Sequence, residues 1–436
     1  MRLFSLLCLL LPVLLLAGCG TNAGASNELR IWYATDDPAE RVWAQTLAQR
    51  FEATHPQVHV ALTAYSFEDL NTKLQLSLDA GNPPDLAYVT PRGPGIPLYV
   101  QQHRLRDLTD VARRYGWASR LRPGVLAQYN APFDKLGLSP HHVVAVPDAL
   151  AAVGVLYNRR LLQRLHRGVP RTLTAFERDV AAARRMSVTP IGIGNADGWV
   201  GDDWYLTLVN ALIPPAALQA EQRLDPRFTF RHPPFVEAAR LLRTWSRAGD
   251  LTPNFGSLDA QEGIDVFFRG HTLFQLISSS ENPQILQDER ATGLPIGVFA
   301  FPRAHGGSVM PVSGYLGWVM PRAAAHPREA MAFLNSLLSP PTARFLARHG
   351  DVPAIQTSSN GVTATWERQY LDALQRSVPG VYLDAAPISN INATMEANVE
   401  LLLEGYERPS FLPFSLEKVY TSRGKSGSAA RIDGEF

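Results

Sequence analysis

Cysteine is nearly absent. The 436 residues hold two, Cys8 and Cys19, and both precede the first segment with globular patterning. The body therefore has no thiol for a disulfide, a cysteine metal site or nucleophilic catalysis, and its stability rests on a packed core. An excess of charge of one sign is lacking too. Lys and Arg number 41 against 40 Asp and Glu, a formal net charge of +1, which gives no electrostatic footprint for nucleic acid or an acidic partner. Beyond the N-terminal apolar stretch no run reaches membrane-spanning length, so the chain is not itself a channel or permease. A hydrophobic content of 46% and a charged content of 19% describe an ordinary globular protein. Its length exceeds the size at which one core usually stops growing, so two lobes are expected.

The N-terminus reads as a targeting segment. Arg2 precedes an apolar run over residues 3–16, too short for a comfortable span, that ends in Leu16-Ala17-Gly18-Cys19. Residues 1–18 resemble a bacterial lipoprotein signal peptide, which implies lipidation of Cys19 and an extracytoplasmic, membrane-anchored protein. Small and polar residues make 19–27 a flexible tether.

The body alternates strand and helix signals. Residues 29–33 form a β-rich run, and Asp37-Pro38-Ala39-Glu40 supplies a helix start: a capping acid, a proline for the first turn and a glutamate to close the box. Trp43, Leu47 and Phe51 recur every four residues as that helix's apolar stripe, which His55-Pro56 stops. Val58, Val60 and Leu62 alternate as a strand; Leu70, Leu74 and Leu78 mark a helix over 67–80; 85–89 reads as a buried strand. That alternation is the pattern of a mainly parallel sheet with helices on its faces. It recurs with strands at 142–146, 153–157, 191–193, 273–277, 296–301 and 317–320. Helices are expected at 174–186, 202–212, 235–248, 328–338, 342–349 and 392–403, and a Gly- and Ser-rich disordered tail over 421–436. No internal repeat is visible.

Several strings, in order along the chain, carry a resemblance. They are Leu29-Arg-Ile-Trp-Tyr33, Phe51-Glu-Ala-Thr-His-Pro56 and Gly81-Asn-Pro-Pro-Asp85-Leu-Ala-Tyr-Val89, then Val146-Pro147 leading to Leu156-Tyr157-Asn158-Arg159. Pro170-Arg-Thr-Leu-Thr-Ala-Phe176, Phe268-Arg-Gly270, Gly314-Tyr-Leu-Gly-Trp318 and Gly350-Asp-Val-Pro-Ala354 follow. Each is weak alone. Their shared order over nearly the whole chain is similar to the family 1 extracellular solute-binding proteins, the maltose-binding-protein-like receptors of ABC importers. The resemblance implies an α/β, two-lobed periplasmic-binding-protein type II fold, each lobe a mainly parallel sheet flanked by helices, with a ligand cleft at the hinge. It implies crossings near Val146, Phe301 and Val352, placing 28–146 with 302–352 in one lobe and 147–301 with 353–420 in the other. It also implies a monomer without cofactor or metal that binds a sugar or polyol and partners ABC permease subunits with their ATPase. One departure stands out: Asp148 is followed by Ala149-Leu150-Ala151-Ala152, where many members carry polar side chains toward the cleft.

A sugar offers hydroxyls in fixed directions and apolar C–H faces, so its site needs carboxylates, amides or guanidinium groups together with flat rings. Strand ends and the resemblance single out Tyr33, Asp36, Thr90, Asp148, Trp199, Asp202, Ser279, Ser280, Glu281, Gly314, Tyr315 and Asp384. Each has a plainer reading. Asp36 and Asp37 also suit helix caps, the serines with Glu281 suit an N-cap, and Gly314-Tyr315 suits a strand start. Trp199 and Trp204 sit five apart, so on a helix they diverge and one is core; Trp199 is favoured because Asp202 and Asp203 share its face. Trp32, Trp43, Trp245 and Trp318 read as packing residues.

Enzyme signatures fail in turn. Asp197 stands where the third glycine of a dinucleotide fingerprint begun by Gly192 and Gly194 belongs, and Gly424-Lys425-Ser426 lacks the upstream glycine of a phosphate loop. No His-Glu-x-x-His or Gly-x-Ser-x-Gly occurs, and His141 and His142 are adjacent on a strand start, pointing to opposite faces. Asp202 with Glu281 could form a glycosidase couple only at a separation that sequence does not fix. The reading is a sugar receptor without catalysis; the alternatives are a ligand-sensing lipoprotein feeding a signalling partner, or a polyol-phosphate receptor. The last is disfavoured by the few cations among the cleft candidates.

Overall fold

The computed structural model describes residues 28–35, 38–89, 95–122, 125, 142–222, 225, 227–314, 317–356, 362, 364–383 and 390–426. The expectations for 1–27, which include Cys19, and for Asp36, Thr90, Tyr315 and Asp384 lie outside them.

Two sheets organise the chain. The first has the order β2-β1-β3-β11-β4, from β1 (Glu28–Ala34), β2 (His59–Tyr65), β3 (Leu86–Val89), β4 (Ala145–Val146) and β11 (Gly317–Val319). β1 pairs in parallel with β2 and β3, as strand–helix–strand units require, and their crossovers are the helices Pro38–Thr54 and Phe67–Asp79. The second helix starts at Ser66, whose hydroxyl accepts from the Asp69 N–H. Alternation along β1 sends Leu29, Ile31 and Tyr33 into the main core, while Trp32 packs with Leu70, Leu74 and Leu78 on the other face.

The second sheet is built around β5 (Ala149–Asn158), with β10 (Ser308–Gly314), β7 (Thr272–Ser278), β6 (Thr189–Gly192) and β13 (Val378–Gly380) in the order β13-β10-β5-β7-β6. β8 (Ile296–Phe299) and β12 (Val352–Pro353) also pair with β5, and β9 (Phe301–Pro302) pairs with β10. The two faces of β5 serve different cores. Leu150, Ala152 and Leu156 join the core shared with the first sheet; Val153, Val155 and Tyr157 face a second core holding Phe176, Trp204 and Trp245. A period of two thus makes one strand the wall between two apolar interiors.

Three expectations change. The two-sheet α/β build holds, but every neighbour of β5 runs antiparallel to it, so this sheet is mixed rather than mainly parallel. A chain that enters the lobe along β5 has to leave it in the opposite direction along β10, and that fixes their pairing. β9 and β10 lie in the second sheet, so the chain returns to the first between Gly314 and Gly317 and not near Phe301. Finally, the helix Phe411–Ser426 runs through 421–426, where a disordered tail was expected. Thr421 and Ser422 turn their hydroxyls back onto the carbonyls of Glu417 and Val419, which satisfies polar groups inside the helix.

Candidate functional site

Between the two sheets lies a cavity of about 420 Å³. Its first wall is aromatic. Tyr33 and Tyr88 are register partners on β1 and β3, so their side chains stand side by side on one face of the sheet. Trp43, from the helix above, lies over Tyr88 with ring centroids 6.5 Å apart and planes 29° apart. Trp318 stacks on Tyr88 from β11 at 4.4 Å and 22°. The result is a three-ring ladder with Trp43 at the cavity and Trp318 buried beneath.

The opposite wall is the start of β5, the turn after β7 and one stripe of the helix Asn282–Thr292. Ala149, Leu150, Ser279 and Ser280 line it, followed by Pro283, Leu286, Gln287 and Arg290 at the spacing that keeps residues on one helical face. Phe345, Arg348, His349 and Asp351, at and just beyond the end of the helix Pro340–Arg348, complete the lining. The Asn282 side-chain amide donates to the Gly350 carbonyl at 2.9 Å, which ties this end to the Asn282–Thr292 helix.

The candidates read from the sequence divide by position. Tyr33, Ser279 and Ser280 line the cavity. The Ser279 hydroxyl donates to Leu150 O at 2.6 Å and accepts from Ala152 N at 3.0 Å, so it pins the turn to β5. Asp148 is buried just before Ala149, with its Oδ1 accepting from the Ala149 N–H. Burial pushes its carboxyl above the usual range, against the opposing influence of Tyr88 and Trp318. Glu281 forms a capping box with Ser278 and accepts from its N–H at 2.9 Å. Burial drives its pKa up to about 8; that N–H opposes the rise and Asp203 adds to it. Gly314 ends β10 opposite Leu150.

Trp199 and Asp202 lie outside the cavity lining. They open the helix Trp199–Leu212, nearly all of which is buried: Trp199 packs on the second core and Asp202 is 3% exposed. A side chain at Gly198 would meet Glu396, so this first turn abuts the helix Ile391–Glu404. Sequence reasoning assigned Trp43 to packing and passed over Tyr88, Arg290, Arg348, His349 and Asp351. A four-residue repeat marks Trp43 as apolar, but which end of the stripe reaches the cleft is a tertiary property.

Residues 36–344 match the bacterial extracellular solute-binding protein family. No curated protein matches the chain at a significant level. Among solved structures, a chitin oligosaccharide binding protein is 20% identical with a TM-score of 0.76, covering 91% of this chain and 99% of its own. The solute-binding protein RafE in complex with raffinose is 21% identical at a TM-score of 0.69, with coverage of 90% and 98%. A probable secreted solute-binding lipoprotein from Streptomyces coelicolor is 19% identical at 0.72, with coverage of 92% and 100%. At these identities the likeness is one of fold, and the fold is that of a two-lobed periplasmic binding protein. Sheet order, interlobe cavity and family match agree, and the chain belongs to the bacterial extracellular solute-binding proteins.

Proposed function

We propose that the chain is the substrate-binding lipoprotein of an ABC importer, capturing a mono- or oligosaccharide or related polyol between its lobes without catalysis. The observation that carries this reading is the cavity itself: the rings of Tyr33, Trp43 and Tyr88 face hydroxyl, amide and guanidinium groups across about 420 Å³. Flat rings suit the C–H faces of a pyranose, and the polar groups suit its hydroxyls. The similar folds described as binding chitin oligosaccharide and raffinose support the ligand class. The apolar run ending at Cys19 and the lipoprotein from Streptomyces coelicolor support an anchor on the outer side of the membrane. Among the described residues no helix is long and apolar enough to cross a membrane. In this reading the captured ligand passes to separate permease subunits and their ATPase.

A thermal-shift screen of the full chain against sugars, polyols and peptides tests this. One saccharide class is expected to raise the melting temperature in proportion to the logarithm of its concentration. Trp43→Ala is expected to weaken that sugar about tenfold by removing a stacking face. A response confined to peptides, or none at all, rejects the sugar assignment.

A further inference from the structure

Arg290 and Arg348 are exposed, line the cavity, and among the described residues make no ion pair with a carboxylate. Arg348 spends its Nε on the Arg344 carbonyl at 3.1 Å. His349 adds a third basic side chain, and among the described residues of the lining Asp351 is the one acid. Burial raises the carboxyls of Asp148 and Glu281, and it pushes Glu367, which feels the Arg290 charge, up to about 7. The two arginines also stand on joined supports, since Asn282 fastens the end of the Pro340–Arg348 helix to the start of the Asn282–Thr292 helix.

We propose that the ligand is an anionic saccharide whose carboxylate or phosphate is held by Arg290 and Arg348 while its ring lies against Trp43. A guanidinium fork matches the paired oxygens of either group, and two of them lining one cleft give an acidic guest a charge-assisted partner that a neutral guest lacks. The inference rests on the sugar-receptor reading above. The cations whose scarcity counted against a phosphorylated ligand in the sequence are present in the folded cleft.

Isothermal titration of the full chain with matched ligands decides the matter. The probes are glucose, glucuronate and glucose 6-phosphate, galactose and galacturonate, and short neutral and uronate-containing oligosaccharides. At least one acidic member is expected to bind about tenfold or more tighter than its neutral counterpart, with an affinity that falls as salt is added. Arg290→Gln and Arg348→Gln are each expected to cut the acid's affinity about tenfold and to shrink the preference for the acid over its neutral counterpart. The uronate and phosphate arms identify the acidic group. A neutral sugar that binds as tightly as its acid, or arginine variants that leave acid affinity intact, overturns this inference and leaves the receptor reading in place. Failure of every saccharide removes both.

Discussion

Glu281 illustrates how a single side chain, next in sequence to the cavity-lining Ser280, shapes the behaviour of the protein. Its pKa of about 8 lies well above the ordinary 4.5, so between those values the folded chain keeps a proton that the unfolded chain releases. Stability is then fully present below the unfolded pKa and is lost as pH rises through the window up to about 8. Glu367, at about 7, acts in the same direction over a narrower window. Glu281→Gln is expected to flatten the decline of the melting temperature between about pH 5 and pH 8. Equal slopes in the two proteins would assign the decline elsewhere. Legibility at this scale followed a simple rule. Tyr33, Ser279 and Ser280 sit where strands end, and strand ends can be read from alternation. Arg290, Arg348 and His349 sit in or just past the last turns of amphipathic helices, where a charged residue reads as a solvated face until the neighbouring element is known.

Elements were legible wherever a period was clean. The helix Pro38–Thr54 buries Leu47 and Phe51 as its four-residue stripe requires, and Leu70, Leu74 and Leu78 do the same for Phe67–Asp79. β10 was not legible, because Pro311 and Gly314 are poor strand residues and their tolerance depends on the partners they meet. The helix Thr365–Arg376 buries Trp366, Tyr370 and Leu371 against the core shared by the sheets, and there the Tyr370 hydroxyl donates to the Ala152 carbonyl. Joints between elements carry testable weight. Asn210, fully buried on the Trp199–Leu212 helix, donates to Val381 O and accepts from Val381 N, holding the segment after β13. Asn210→Ala strands both Val381 groups in the core and is expected to cost about 2–4 kcal/mol in urea unfolding. At Gly194 an added Cβ would lie 1.9 Å from the Asp259 carbonyl oxygen, a backbone atom that cannot swing aside. Gly194→Ala is expected to displace the Ala260–Val266 helix and lower the melting temperature more than Gly168→Ala, where the Cβ position is open and the backbone is not in the left-handed region. A Gly194→Ala protein as stable as the parent would show that the loop has room to move.

At the scale of the molecule, the described elements join the sheets through three chain crossings: β4 into β5, Gly314 to Gly317, and the helix Pro340–Arg348 into β12. Connections this short act as hinges, and a ligand touching both walls gains most when they close. Small-angle scattering is expected to show a smaller radius of gyration at saturating ligand, alongside the rise in melting temperature. A stabilised protein of unchanged radius would mean that the lobes are already closed. The interlaced connectivity also dictates an order of assembly. Among the described residues β4 pairs only with β11 in the first sheet, and β5 waits for strands as late as β12 at Val352–Pro353. Neither sheet can be completed until the ribosome has reached the last third of the chain. A nascent polypeptide of this topology stays unfinished, with edges unpaired, for most of its synthesis, and so remains in a form that a translocation channel can thread.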